Sequence, residues 1–254
     1  LRLGGLYSLN TFGAVAGCMV TGFVLLATFG YTRTTFIGAA LNIAVGILAL
    51  FLSKQVESET VSEQDNLIEA AHQSDETVSP TVALMVIGAF AISGFCSLAL
   101  EVLWTRLLTI LFLGTTYAFT TMLASVLCGI ALGSTVASLM IDRIRDRVTA
   151  YGLVQALTGI TSLLMLMVFP KLPDMLQSAQ LATQFDWSAM VVRKFMLSFS
   201  VLFIPTFFFG MSFPFAVRIV ASSPTFLGKS IGRVYSANTF GGVVGSLVGG
   251  FVLI

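Results

Sequence analysis

The sequence is dominated by apolar runs that are long enough to cross a membrane. A helix needs about 20 consecutive apolar residues to span roughly 30 Å of hydrocarbon, and the chain supplies such runs again and again. Hydrophobic residues make up 56% of the chain and charged residues 10%, and the mean hydropathy is +0.95. A water-soluble fold could hardly keep so many apolar side chains off its surface. The sequence therefore predicts an all-α, polytopic helix bundle whose main partner is the lipid bilayer.

The apolar runs predict about seven transmembrane helices. They lie at residues 5–28, 33–53, 82–105, 115–141, 149–169, 194–220 and 231–254. Residues 54–80 are rich in Glu, Asp, Ser and Thr, which is typical of a solvated linker, and a short helix at 65–71 is one option within it. Residues 170–192 predict a segment that lies at the membrane surface.

An internal repeat links the two ends of the sequence. Residues 3–26 and 231–254 align without a gap, and the pattern Tyr-Ser-x-Asn-Thr-Phe-Gly recurs in order. Tyr7 thereby matches Tyr235, and Asn10 matches Asn238. Composition alone would scatter Gly and Val but would not restore such an order, so the repeat indicates a duplication. Because six predicted crossings separate the copies, both should run in one direction, as in the two halves of a major-facilitator bundle.

The basic residues favour one orientation in the membrane, because short cytoplasmic loops are enriched in Lys and Arg. One predicted side holds Arg2, Lys54, Arg143, Arg145, Arg147, Arg218, Lys229 and Arg233, and the other holds Arg33, Arg106, Lys171, Arg193 and Lys194. This excess predicts that the linker 54–80 is cytoplasmic and that the protein lies in a bacterial inner (plasma) membrane. The net charge of +1 gives no reason to expect a nucleic acid partner.

A few polar residues within the apolar runs are candidate functional residues. Glu101 is a carboxylate at membrane depth, which makes it a functional candidate, although an ion pair with Arg106 or a snorkelling role explains it as well. Asn10 and Asn238 need hydrogen-bond partners in lipid. They either join helices to one another or, as matching positions of the repeat, line a shared polar cavity.

The glycines and the prolines within the apolar runs each allow two interpretations. Glycines four residues apart predict seams where helices pack closely, or else flexible hinges. These glycines are Gly13 and Gly17, Gly129 and Gly133, and Gly241, Gly245 and Gly249. Pro205, Gly210 and Pro214 predict a fixed kink in the sixth span, or a helix broken around a substrate.

The chain carries no recognisable catalytic or metal-binding pattern. Its three cysteines lie far apart in apolar runs, so we interpret them as small packing residues, and we expect no metal or cofactor site. Paired carboxylates and a nucleophile with a base are missing from the motifs, which leaves an enzymatic role uncertain.

Several motifs carry a resemblance to a known family. They are Ser93-Gly-Phe, Leu100-Glu-Val-Leu-Trp-Thr-Arg106, Gly133-Ser, Asp142-Arg143, Pro205-Thr, Gly210-Met and Tyr235-Ser-Ala-Asn-Thr-Phe-Gly241. Asp142-Arg-Ile-Arg-Asp-Arg147 also resembles in part the charged loop element of major-facilitator halves, with Asp142 and Arg143 at its core; a plain positive-inside loop explains it as well. Together these residues resemble the membrane region of the fused major-facilitator/spermidine-synthase-like proteins.

That resemblance implies a domain organisation. Residues 1–53 would be the last two helices of an N-terminal six-helix half, 54–80 the acidic cytoplasmic linker, and 81–254 the first five helices of a C-terminal half. The sequence would then be a fragment of a twelve-helix protein, and any aminopropyltransferase-like domain would lie outside it. Two functions are expected alternatives: a small-solute transporter, or a non-transporting anchor or accessory subunit that packs against other membrane protein subunits.

Overall fold

A computed structural model of the chain describes residues 3–56, 78–111, 116–182, 187–221 and 227–253. Within these ranges the backbone is helical apart from short connections, so the prediction of an all-α fold is confirmed. The helices are α1 Leu3–Met19, α2 Leu26–Val56, α3 Pro80–Leu111, α4 Thr116–Met140, α5 Arg147–Val168, α6 Leu172–Ala182, α7 Trp187–Val220 and α8 Leu227–Phe251. Most of the predicted linker, including the optional helix at 65–71, lies outside the described residues.

Five helical stretches in the described ranges are long and apolar enough to cross a membrane, judged by length and composition. They are Ser8–Ser53, Pro80–Ile110, Phe119–Arg143, Arg147–Met175 and Ala189–Val220. The predicted spans 5–28 and 33–53 both fall in the first of these stretches, apart from residues 5–7. Helix α8, the predicted seventh span, is not among the five, because its Gly, Ser and Asn residues lower its hydropathy. A count of seven spans therefore stays a prediction.

The boundary between the first two predicted spans is marked by irregular backbone. A π-helical segment, Val20–Leu25, follows α1, and Gly30 inside α2 has φ 69° and ψ 179°. A positive φ costs glycine little because it has no Cβ. Beyond this point α2 presents large apolar side chains such as Tyr31 and Phe36, which are 79% and 71% exposed. Such a surface suits lipid or a further protein surface rather than water.

Helices α3 and α8 pack through glycines with their backbones in close contact. A Cβ added to Gly241 would collide with the carbonyl oxygen of Ala91, and one added to Gly245 would collide with that of Phe95. Because both partners advance by four residues together, α3 and α8 run parallel. In lipid, small residues of this kind let helices approach closely enough for extensive van der Waals contact.

Glycines also bring the backbones of α4 and α7 into close contact. A Cβ on Gly133 would collide with the backbone of Phe207, and one on Gly210 would lie 2.6 Å from the Cα of Ile130. The predicted packing seams are thus confirmed at the glycines of α4 and α8. Gly13 and Gly17 of α1 differ, since no described atom lies within 4 Å of a Cβ built on either residue.

The relative direction of α3 and α4 follows from the residues that pack together at each end. Trp104, near the end of α3, shares an apolar cluster with Met122, near the start of α4. Val86, near the start of α3, shares the other cluster with Ala137, near the end of α4. The two helices are therefore antiparallel.

Helix α1 packs against α4 in the opposite direction. Ser8 Oγ lies 3.2 Å from Ser134 Oγ, within hydrogen-bond distance, and Cys18 Sγ donates to the carbonyl oxygen of Thr120 at 3.7 Å. Residue numbers rise along α1 while they fall along α4, so α1 runs antiparallel to α4 and parallel to α3 and α8. The two helices with the repeated sequence thus share one direction, as a parallel duplication requires; the twelve-helix arrangement itself stays a prediction.

The two copies of the repeat allow a matched test of the glycine seam. We expect Gly245→Leu to destabilise the chain by about 1–3 kcal/mol or more, because the larger side chain would force α3 and α8 apart. Gly17→Leu, the same change at the matching position of α1, should leave stability nearly unchanged. Thermal unfolding of both variants in detergent measures this difference, and equal destabilisation would contradict the packing described.

Candidate functional site

A hydrogen-bond network joins α3, α5 and α7 through Gln155. Its side-chain oxygen accepts hydrogen bonds from Ser212 Oγ at 3.1 Å and from Ser93 Oγ at 3.4 Å. Its amide nitrogen donates to Tyr151 Oη at 2.9 Å and to the carbonyl oxygen of Ala89 at 3.5 Å. The amide therefore has a partner for each N–H and two for its oxygen. The single hydroxyl proton of Ser212 is shared with the carbonyl oxygen of Phe208, which lies 3.2 Å away in the same helix.

The network lies inside an apolar cluster. Ser212 is fully buried, Tyr151 and Ser93 are 4% and 8% exposed, and the cluster around them includes Phe90 and Phe215. A polar group in such surroundings is costly unless it is hydrogen-bonded, so each bond both satisfies a side chain and ties two helices together. Chemically, an amide with hydroxyl groups can hold helices in register or bind a neutral polar solute.

Asn238 of α8 lies beside this network. Its side-chain oxygen would stand 2.6 Å from a Cβ added to Gly94, the residue after Ser93. Asn10, the matching residue of the repeat, is exposed on α1, which packs against α4 instead. The structure thus places the two asparagines on different helix pairs, one against a glycine and the other on an open face.

The spacing of Glu101 and Arg106 along α3 does not bring their side chains together. Glu101 is partly buried, whereas Arg106 is exposed. Five residues apart on an α-helix, they point about 140° from one another. Glu101 lies two turns beyond Ser93, roughly 12 Å along α3, so it stands apart from the Gln155 network.

The charged loop between α4 and α5 ends in a residue that caps the start of α5. Asp142 and Arg143 are exposed in a 3₁₀ turn, Ile141–Arg143, and Asp146 caps α5 by accepting a hydrogen bond from the backbone N–H of Thr149 at 3.0 Å. Hydrogen bonds from the Thr149 side chain and backbone lower the pKa of Asp146. The cap accounts for Asp146 structurally, while the roles of Asp142 and Arg143 stay predictions.

The remaining predictions concern Tyr7, Tyr235 and the prolines of α7. Tyr235 is 58% exposed on α8, and the side chain of Tyr7 lies outside the described set. Helix α7 continues through Pro205 and Pro214, both buried, without a break in its helical assignment. The prediction of a helix broken around a substrate is therefore wrong for this span.

No protein-family model, curated protein or solved structure matches the chain.

Sequence reasoning missed the residue at the centre of the network. Gln155 sits in the run Tyr-Gly-Leu-Val-Gln-Ala-Leu, four residues after Tyr151, so both share one face of α5. A single amide side chain within an apolar span is a signal from which Gln155 could have been predicted. Its partners Ser93 and Ser212 could not be chosen from the sequence, because serine in a membrane helix commonly bonds to its own backbone.

We expect the network to contribute measurably to stability. Gln155→Leu should lower the free energy of unfolding by about 1 kcal/mol, since interhelical hydrogen bonds in membranes average about 0.6 and reach about 1.7 kcal/mol. Ser93→Ala should have a smaller effect in the same direction. Ser97→Ala is the matched control, because Ser97 donates to Gly94 of its own helix. Equal effects of the two serine variants in detergent unfolding would argue against the interhelical bond.

The cap of α5 gives a prediction about pH. A lowered native pKa means that the native state binds fewer protons than the unfolded state, so the contribution of Asp146 is present above the ordinary aspartate pKa and is lost as the pH falls through the lowered value. Asp146→Asn should keep the cap and flatten this acid loss, and Asp146→Ala should weaken the helix at all pH values. Unfolding midpoints measured between neutral and acidic pH test this, and a wild-type acid slope in Asp146→Asn would contradict it.

Proposed function

We propose that this chain is a non-transporting integral membrane module of major-facilitator-like architecture, resembling the membrane region of the fused major-facilitator/spermidine-synthase-like proteins. It acts as an anchor or accessory unit that packs within a larger membrane protein assembly. The proposal is based on the contact between α1 and α4. Helix α1 belongs to the first copy of the predicted duplication, and α4 belongs to the second.

The contact between α1 and α4 is closed at both ends of the helices. At one end Ser8 meets Ser134, and at the other a Cβ on Gly22, in the π-helical segment that continues α1, would collide with the side chain of Thr120. A carrier that rocks one half against the other opens one end of such an interface while it closes the opposite end. Simultaneous closure favours a static interface.

Packing within the second part of the chain supports the same role. Glycine seams hold α3 to α8 and α4 to α7, and the Gln155 network joins α3, α5 and α7. Exposed apolar surface on α2 then supplies area for further membrane contacts.

We also propose an orientation. The end of the bundle at which α3 begins carries most of the described basic side chains. They are Arg143, Arg145, Arg147, Arg218, Lys229 and Arg233, against Arg33, Arg106, Lys171, Arg193 and Lys194 on the opposite predicted side. The positive-inside rule favours placing the first end and the linker in the cytoplasm of a bacterium.

Small-solute transport is the second candidate. It is favoured by the Gln155 network, because amide and hydroxyl groups in an apolar interior can exchange their mutual hydrogen bonds for bonds to a neutral polar solute. Transport would require the interface of α1 and α4 to open.

Distance measurements between spin labels distinguish the two functions. One label pair at positions 9 and 139 reports the Ser8 end, and another at 24 and 119 reports the Thr120 end; all four side chains are 50–69% exposed, so labels should not disturb packing. For a static module in lipid bilayers, each pair should give a single distance. Two populations that change in opposite senses at the two ends would support transport and contradict the proposal.

A further inference from the structure

One end of the helix bundle gathers basic side chains around an apolar cluster. The cluster joins Ile141, which follows α4, to Val217 of α7 and Val234 of α8. Ile144, in the loop before α5, packs against the same cluster. The basic residues lie close in sequence to these apolar residues, so the cluster holds them at one end of the bundle. They are Arg143, Arg145, Arg147, Arg218, Lys229 and Arg233.

The basic residues lie at the depth where the apolar helices end. The apolar stretch Phe119–Arg143 ends at Arg143, and the next stretch begins at Arg147. The stretch Ala189–Val220 ends just after Arg218. Lipid headgroups border the hydrocarbon core at this depth, and clusters of Lys and Arg beside membrane helices attract anionic lipids.

Acidic side chains offset only part of this charge. The described ranges contain four acidic residues, of which Asp142 and Asp146 lie at the basic end. Asp146 caps α5 through the backbone N–H of Thr149. Six basic side chains against two acidic ones give this end a net positive charge, so it attracts anions.

Arg147 adds a specific binding point to this positive surface. Its side chain is half-buried, and its Nε atom is buried without a hydrogen-bond partner among the described residues. A buried donor without an acceptor is costly, and a bound ion or water explains such a group. Because a guanidinium holds its donors in a planar fork, Nε and one Nη can bind two oxygens of a single phosphate.

We propose that this end of the bundle binds the headgroup of an anionic phospholipid. The guanidinium of Arg147 binds the phosphate, and the exposed Arg143 and Arg145 add electrostatic attraction. Free phosphate and the carboxylates of the linker 54–80 are competing anions, but a lipid phosphate is concentrated at the depth where α4 ends and α5 begins. The inference requires that the chain lies in a bilayer and does not depend on a static contact between α1 and α4.

Native mass spectrometry of the full chain in detergent measures this binding. Phosphatidylglycerol is the anionic probe, and zwitterionic phosphatidylcholine is the control lipid. We expect the wild-type chain to retain several-fold more phosphatidylglycerol, because only that headgroup carries a net negative charge. Arg147→Gln should lose most of this preference. Arg147→Lys should lose it too, since lysine keeps the charge but lacks the planar fork. Arg106→Gln removes a charge on the opposite predicted side and should keep the preference.

Thermal unfolding gives a second readout. Phosphatidylglycerol should raise the unfolding midpoint of the wild-type chain above its value in phosphatidylcholine, because a ligand that binds only the folded chain stabilises it. The rise should be much smaller for Arg147→Gln. The midpoint of this variant in phosphatidylcholine shows whether it folds, and Arg147→Lys provides the same comparison if it does not.

Several results would overturn the proposal. They are equal retention of the two lipids, an unchanged preference in Arg147→Gln or Arg147→Lys, an equal loss in Arg106→Gln, and displacement of phosphatidylglycerol by inorganic phosphate. A preference that appears only after the acidic residues of the linker 54–80 are changed to their amides would also overturn it, by identifying the linker as the occupant. The spin-label measurement on α1 and α4 tests the static role separately.

Discussion

The architecture depends on close backbone contact between helices in a solvent that gives them little reason to associate. Lipid is as apolar as the side chains it replaces, so burial of Leu or Phe between helices gains little there. Glycine changes this balance because it allows one helix to lie directly on the carbonyl groups of another. Gly241 and Gly245 of α8 contact the backbone of α3, and Gly133 of α4 contacts the backbone of α7, so glycines provide this contact for two helix pairs.

Much of this arrangement was predictable. Four-residue glycine spacing predicted packing faces, and the Tyr-Ser-x-Asn-Thr-Phe-Gly repeat predicted that α1 and α8 would point the same way. The sequence could not show which faces are occupied, because spacing defines a face and not its partner. Gly17 and Gly245 occupy matching positions of the repeat, and only their surroundings separate them.

The polar residues were harder to interpret. Asn10 and Asn238 match in sequence but lie in different environments, since α1 and α8 contact different helices. Gln155 went unnoticed although its side chain makes four hydrogen bonds, because its serine partners come from α3 and α7, some 60 residues away on either side. The prolines of α7 predicted either a kink or a broken helix. The helix is continuous, and Thr206 Oγ1 donates a hydrogen bond to the carbonyl oxygen of Leu202 within it.

The pairing of α3 with α8 has a consequence for biosynthesis. The two helices touch along their length although about 150 residues separate Ala91 from Gly241 in the chain. During translation α3 enters the bilayer long before α8 exists, so its small-residue side must face lipid or a temporary companion while the intervening helices are made. Formation of this helix pair is thus a late event in synthesis of the chain.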